Sequence, residues 1–209
     1  MKRRIISSLI ACSLLLCIAA SACAGPPTDA IQNTINSVLA IMKKPEMNKS
    51  ATRPALLKQV EDQILTIFDF RSFSASTVGV KWRSFDEPQR QRFIAAFTEL
   101  LRATYIEKMS GYSGEKVNYT GEIYSTDKTR AVVRTTVLMG NKVVPVDYML
   151  NNKESAWKVY NIRIETVGLV ENYHEQFKTV LLNGSADDLV KVVTDRANQI
   201  RRENQNTPK

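Results

Sequence analysis

The feature that most constrains this chain is a change of hydrophobic period, from helical to alternating and back. Between Asp29 and about Ser110, apolar residues recur every three or four positions. Between Lys116 and Glu165 they alternate, and from Val170 to Ile200 the helical spacing returns. The alternating part divides into Lys116–Tyr124, Thr129–Met139, Lys142–Leu150 and Ala156–Glu165, all rich in Val, Ile, Thr and Tyr. Gly140-Asn141, Asn151–Ser155 and Ser125–Lys128 are turn sequences. Connections this short join antiparallel neighbours and leave no room for crossover helices. The fold class that follows is α+β: a four-stranded antiparallel meander packed by about six helices.

The helical stretches carry their own punctuation. The first, Asp29 to Lys43, places Ile31, Ile35, Val38, Leu39 and Met42 on one face and stops at Pro45. Thr52 is a candidate cap for a second helix with Leu56, Leu57, Val60, Ile64, Ile67 and Phe68 on its apolar face. Phe70–Val78 reads as a short helix ended by Gly79. Ser84 to Glu87 has capping-box spacing ahead of a helix that runs to about Ser110. Val170–Leu182 stops at Gly184, Ser185 caps the last helix, and Arg201 to Lys209 reads as a polar, frayed tail.

The N-terminus reads as an export signal. Lys2, Arg3 and Arg4 precede a nearly continuous apolar run, Ile5 to Ala20, shorter than the about 20 residues a spanning helix needs. Ala22-Cys23-Ala24 has the small-x-small pattern that places cleavage before Gly25. A retained membrane anchor and cleavage before Cys23, which would lipidate that thiol, are the alternatives. Residues 1–24 are thus a signal peptide and 25–209 a single domain. All three cysteines leave with the signal, as do three of the basic residues, so the formal charge falls from +8 to +5. The mature chain has no thiolate nucleophile, no disulfide and no Cys-based metal site. An exported, cysteine-free chain of this length fits a bacterial periplasm and is held by its core alone.

Catalytic motifs are scarce. His174 is the one histidine and sits within a predicted helix, where a structural hydrogen bond explains it better than a zinc site. There is no G-x-S-x-G elbow, P-loop or G-x-G-x-x-G. Asp187-Asp188 starts a helix, where acids suit the dipole. The basic residues are dispersed, which with export argues against nucleic acid as a partner. No catalytic residue, metal site or cofactor is assigned.

The residues do resemble a family. Lys81-Trp82-Arg83-Ser84-Phe85-Asp86-Glu87-Pro88-Gln89-Arg90-Gln91-Arg92-Phe93-Ile94-Ala95-Ala96-Phe97, followed by Leu100-Leu101 and Thr104-Tyr105, resembles the signature helix of the MlaC, or toluene-tolerance, family. Phe68-Asp69-Phe70 with Val78-Gly79 agrees in order. So do Val144-Pro145-Val146-Asp147-Tyr148 with Trp157-Lys158-Val159-Tyr160-Asn161, and Val167-Gly168-Leu169-Val170 with Tyr173 and Phe177. The resemblance spans roughly residues 28–200. It departs from the family pattern at Gly168, where many members have Ser, and at Asn161, where many have Asp.

The resemblance implies a periplasmic phospholipid carrier rather than an enzyme. It implies acyl tails held in an apolar pocket between sheet and helices. The implied partners are phospholipid, an inner-membrane MCE-domain/ABC transporter complex and an outer-membrane lipoprotein complex, with the carrier a monomer. A branch of the family is associated with hopanoid lipids, and an enzyme with a cone-shaped α+β pocket is the more distant alternative. On this reading the sheet face supplies Val133, Val137, Val144, Val146, Tyr148 and Leu150 to the pocket, and Phe93, Phe97, Leu101 and Tyr105 form the opposing wall. The hydroxyls of Tyr105 and Tyr148 are expected at its mouth.

Overall fold

The computed structural model describes residues 25–106 and 116–206. The export segment, Ser110 and the last three residues lie outside them. Among the described residues, no helix is long and apolar enough to cross a membrane.

Helix α1 (Pro26–Met42) begins three residues earlier than the apolar spacing indicates. Pro26 and Pro27 sit in its first turn, where a missing N–H costs no hydrogen bond. After a 3₁₀ turn (Pro45–Asn48), α2 (Arg53–Ile67) packs against α1. Thr52 does not cap α2 with its side chain; its hydroxyl instead donates to the Glu46 carbonyl at 2.6 Å. Helix α3 (Phe70–Val78) is capped by Asp69, which accepts from the Ser72 N–H, and ends at Gly79. Gly79 has φ +68°, and a Cβ there would lie 2.8 Å from Cε1 of His174. His174 Nδ1 meets the Thr77 carbonyl at 3.0 Å, so the lone histidine fastens α3 to α5.

A second 3₁₀ turn (Gly79–Ser84) leads into α4 (Glu87–Leu101). The capping box is there, two residues later than Ser84: Asp86 accepts from the Gln89 N–H, and the Gln89 side chain accepts from the Asp86 N–H. Beyond Leu101 the chain widens into a π turn, Arg102–Ile106, and the expected helix end near Ser110 lies outside the described residues.

The strands are β1 (Lys116–Tyr124), β2 (Arg130–Met139), β3 (Lys142–Lys153), β4 (Ala156–Ile164) and β5 (Val167–Gly168). They form one antiparallel sheet in chain order. The fifth strand corrects the expected count of four; two residues are too few to show alternation, and Glu165, at φ 55°, turns the chain back. Met139 pairs with Lys142 across the Gly140 turn. Val133 stands opposite Tyr148, Thr135 opposite Val146 and Val137 opposite Val144, so these residues share one face. Bulges in β1 and β4 increase the local twist.

Helix α5 (Leu169–Leu181) and α6 (Ala186–Asn206) close the chain. Asn161, 5% exposed, accepts from the Val170 N–H at 3.0 Å and donates to Glu171, which anchors the first turn of α5 on β4. Ser185 and Asp188 cap α6 reciprocally. The predicted frayed tail is helical as far as Asn206: Arg201 pairs with Glu99 at 2.6 Å, and Asn204 donates to the Ala103 carbonyl.

Two apolar clusters result. One lies among α3, α4, α5 and α6 and contains Phe73, Phe93, Phe97, Tyr173, Phe177, Leu189 and Val193. The other joins Ile31 of α1 to Val133, Leu150 and Val159 of the sheet. The space between them is not filled.

Candidate functional site

The unfilled space is a cavity of about 560 Å³, bounded by α1 and α2 on one side, the sheet on another and the end of α4 on a third. Helix α1 contributes Ile31, Thr34, Ile35, Val38 and Leu39. Helix α2 contributes Ile64, Leu65 and Ile67, and Phe68 follows it. The sheet contributes Val117, Val137, Met139, Tyr148, Val159, Ile162 and Ile164. Thr98, Leu101, Arg102 and Tyr105 come from α4 and the π turn. Met139, 53% exposed, with Tyr105 and Ile164, each 37% exposed, marks the open side.

The lining is almost wholly apolar, so a polar solute loses its water there without gaining hydrogen bonds. The exceptions are a few hydroxyls and Arg102. The Arg102 guanidinium is already engaged: Nε lies 2.8 Å from Glu61, and Nη1 lies 3.3 Å from Glu99. Glu61 itself is 6% exposed and also meets Lys58 at 3.4 Å. These contacts brace α2 against the end of α4 at the rim of the cavity.

Four of the ten sequence-predicted residues line the cavity: Leu101, Tyr105, Val137 and Tyr148. Tyr148 lies deep rather than at the mouth, and burial pushes its phenol up to about 12. Tyr105 is at the open side and hydrogen-bonds Tyr173.

The other six lie elsewhere. Phe93 and Phe97 are fully buried in the helical cluster, stacked on each other at 5.7 Å and met edge-on by Phe177. The residues of α4 and the π turn that face the cavity form a different stripe, Thr98, Leu101, Arg102 and Tyr105, rotated from Phe93, Phe97 and Leu100. Val133 and Leu150 are covered by Ile31 in the second cluster. Val144 and Val146 are buried on the sheet face, but it is their cross-strand partners Val137 and Ile164 that reach the cavity.

The residues missed are chiefly those of α1 and α2. Their periodicity reports a face turned from water and says nothing of what covers it.

Comparisons with known proteins agree with this architecture. The MlaC protein family model matches residues 32–195. The intermembrane phospholipid transport system binding protein MlaC of Haemophilus influenzae is 23% identical over 144 residues, 67% of each chain. The toluene tolerance protein ttg2D of Pseudomonas putida is 26% identical over 205 residues, covering 97% of this chain and 93% of that one. Among solved structures, a phospholipid-binding protein from Ralstonia solanacearum, in complex with a phospholipid, superposes with a TM-score of 0.74 at 26% identity. That match covers 84% of this chain and 99% of the other. With the family model spanning most of its length, and with a cavity between helices and antiparallel sheet, the chain belongs to the MlaC family.

Proposed function

We propose that this protein is a soluble phospholipid carrier of the bacterial periplasm, exported by a cleaved signal over residues 1–24 and acting without covalent chemistry. The observation that carries the reading is the cavity of about 560 Å³ with its apolar lining. Its size falls within the range of small-molecule sites, and its lining suits a hydrocarbon chain.

Energetics favour this design. Each CH₂ moved from water to an apolar site gains about 0.8 kcal/mol. Two tails of ordinary length therefore represent on the order of 20–25 kcal/mol, at the ceiling of non-covalent affinity. A carrier needs only to match the membrane's hydrocarbon, and a dry apolar wall does that without headgroup chemistry. The tails lie along α1, β2 and β4, and the headgroup sits at the open side near Tyr105, Met139 and Ile164. The family resemblance extends the proposal to the exchange partners: an inner-membrane MCE-domain/ABC transporter complex and an outer-membrane lipoprotein complex. That exchange maintains outer-membrane lipid asymmetry.

A vesicle assay tests the carrier step. Donor vesicles hold a self-quenched fluorescent phospholipid, and acceptors hold none. The purified protein is expected to accelerate dequenching in proportion to its concentration. Transfer no faster than the spontaneous rate contradicts the reading.

A further inference from the structure

The amino end of α1 holds a negative site that no Lys or Arg among the described residues pairs with. Glu122 of β1 accepts from both the N–H and the hydroxyl of Thr28, at 2.8 and 2.5 Å, through one carboxylate oxygen. Its other oxygen points at Gly25, the residue that caps α1. The space a side chain at residue 25 would need is filled by that carboxylate and, 2.7 Å away, by the Tyr124 hydroxyl. Partial burial, the hydrogen bond to Glu122 and the charges of Glu122 and Asp29 push the Tyr124 phenol up to about 12. It therefore stays protonated and neutral. Neither Asp29 nor Glu122 forms an ion pair with a Lys or Arg among the described residues.

We propose that Glu122 is the seat of the amino terminus that processing before Gly25 creates. Hydrolysis of the Ala24–Gly25 bond adds one water, leaving a carboxylate on Ala24 and an ammonium on Gly25. That ammonium is one bond from the Gly25 Cα that the second Glu122 oxygen already faces. An amide nitrogen carries no charge, so the unprocessed chain lacks the ion pair. A side chain at the new terminus would meet the Glu122 carboxylate and the Tyr124 hydroxyl, so both would have to shift away from it. The pair fixes the first turn of α1 to β1, and α1 then carries Ile31, Ile35 and Val38 to the cavity wall. Export and completion of the cavity wall are thereby linked.

The test compares the chain starting at Gly25, freed by a protease that leaves no added residue, with the same chain extended by Ser-Ala. Each is made as wild type and as Glu122→Gln. Extension is expected to lower the wild-type Tm by about 2–4 °C. The effect of Glu122→Gln should be smaller in the extended chain by the same amount, because the two changes remove one interaction. Shifts that simply add, or an extended wild type as stable as the free-amine form, overturn the proposal. Amino-terminal sequencing of periplasmic protein should begin at Gly25, and a start elsewhere also overturns it. If Glu122→Gln does not fold, the wild-type pair decides alone. Phospholipid binding enters none of these readouts, so they fail or succeed apart from the carrier reading.

Discussion

The Asn161 amide donates to the Glu171 carboxylate at 3.1 Å, and that contact ties β4 to the first turn of α5. The same carboxylate occupies the space a Cβ on Gly168 would take. Glu171 thus sits in a niche made by an amide at 161 and the absence of a side chain at 168. Replacing Asn161 by Asp exchanges a donor for a like charge in a buried position. Asn161→Asp is expected to cost roughly 1–3 kcal/mol, read from chemical denaturation at pH 7. Adding Glu171→Gln should recover most of it, and two changes that are independent would show the niche is misread.

Asp69 governs the response to acid. Burial acts to raise its pKa, but Lys153 at 2.5 Å and hydrogen bonds from Ser72 and Asn151 outweigh it and lower the value to about 2. A depressed carboxylate pKa stabilises the fold above the unfolded value, and the contribution disappears as pH falls through the folded one. Asp69→Asn should therefore be less stable than wild type by about 2 kcal/mol at neutral pH. That gap should close between pH 4 and pH 2, as followed by denaturant titrations across the range.

Cavity and core separate by mutation. Leu101 lines the cavity, whereas Phe97 is enclosed by Phe73, Phe93, Tyr173 and Phe177. Leu101→Gln should lower the lipid recovered per mole of protein while leaving a cooperative unfolding transition. Phe97→Ala should cost roughly 3–5 kcal/mol, and its folded fraction should keep the wild-type lipid content. Equal loss of lipid in both variants would argue against this division.

The pairing order and the shared face of Val133, Val137, Val144, Val146 and Tyr148 were legible in the sequence, because alternation and short turns leave one meander. Three local features were not. Ser84 and Asp86 both open a helix-start motif, and only packing chooses Asp86. Val167-Gly168 is too short to read as a strand. The π turn after Leu101 leaves no mark in an apolar spacing that continues through Tyr105.

The cavity was harder to read for a general reason. A buried stripe on a helix reflects exclusion from water, and a cavity wall and a core satisfy that equally. Phe93 and Phe97 are large and regularly spaced, yet they complete an aromatic cluster. Ile35 and Leu39, on an ordinary amphipathic helix, are the ones left facing the cavity.

The brace between α2 and α4 gives a further expectation. Arg102→Leu keeps the cavity apolar but leaves the buried Glu61 with Lys58, at 3.4 Å, as its remaining ion-pair partner among the described residues. The loss should be roughly 2–3 kcal/mol, a Tm lower by about 5–10 °C. Glu61→Gln combined with Arg102→Leu should be more stable than Arg102→Leu alone, since no unpaired charge then remains. Calorimetry on the three proteins checks the order.

The most direct measurement is organic extraction of the protein purified from the periplasm, followed by mass spectrometry and a phosphate assay against protein. Near-stoichiometric phospholipid is the predicted result, reduced in Leu101→Gln. Hopanoid in its place would assign the cavity to the other lipid class, and a folded protein that yields no lipid would contradict the account.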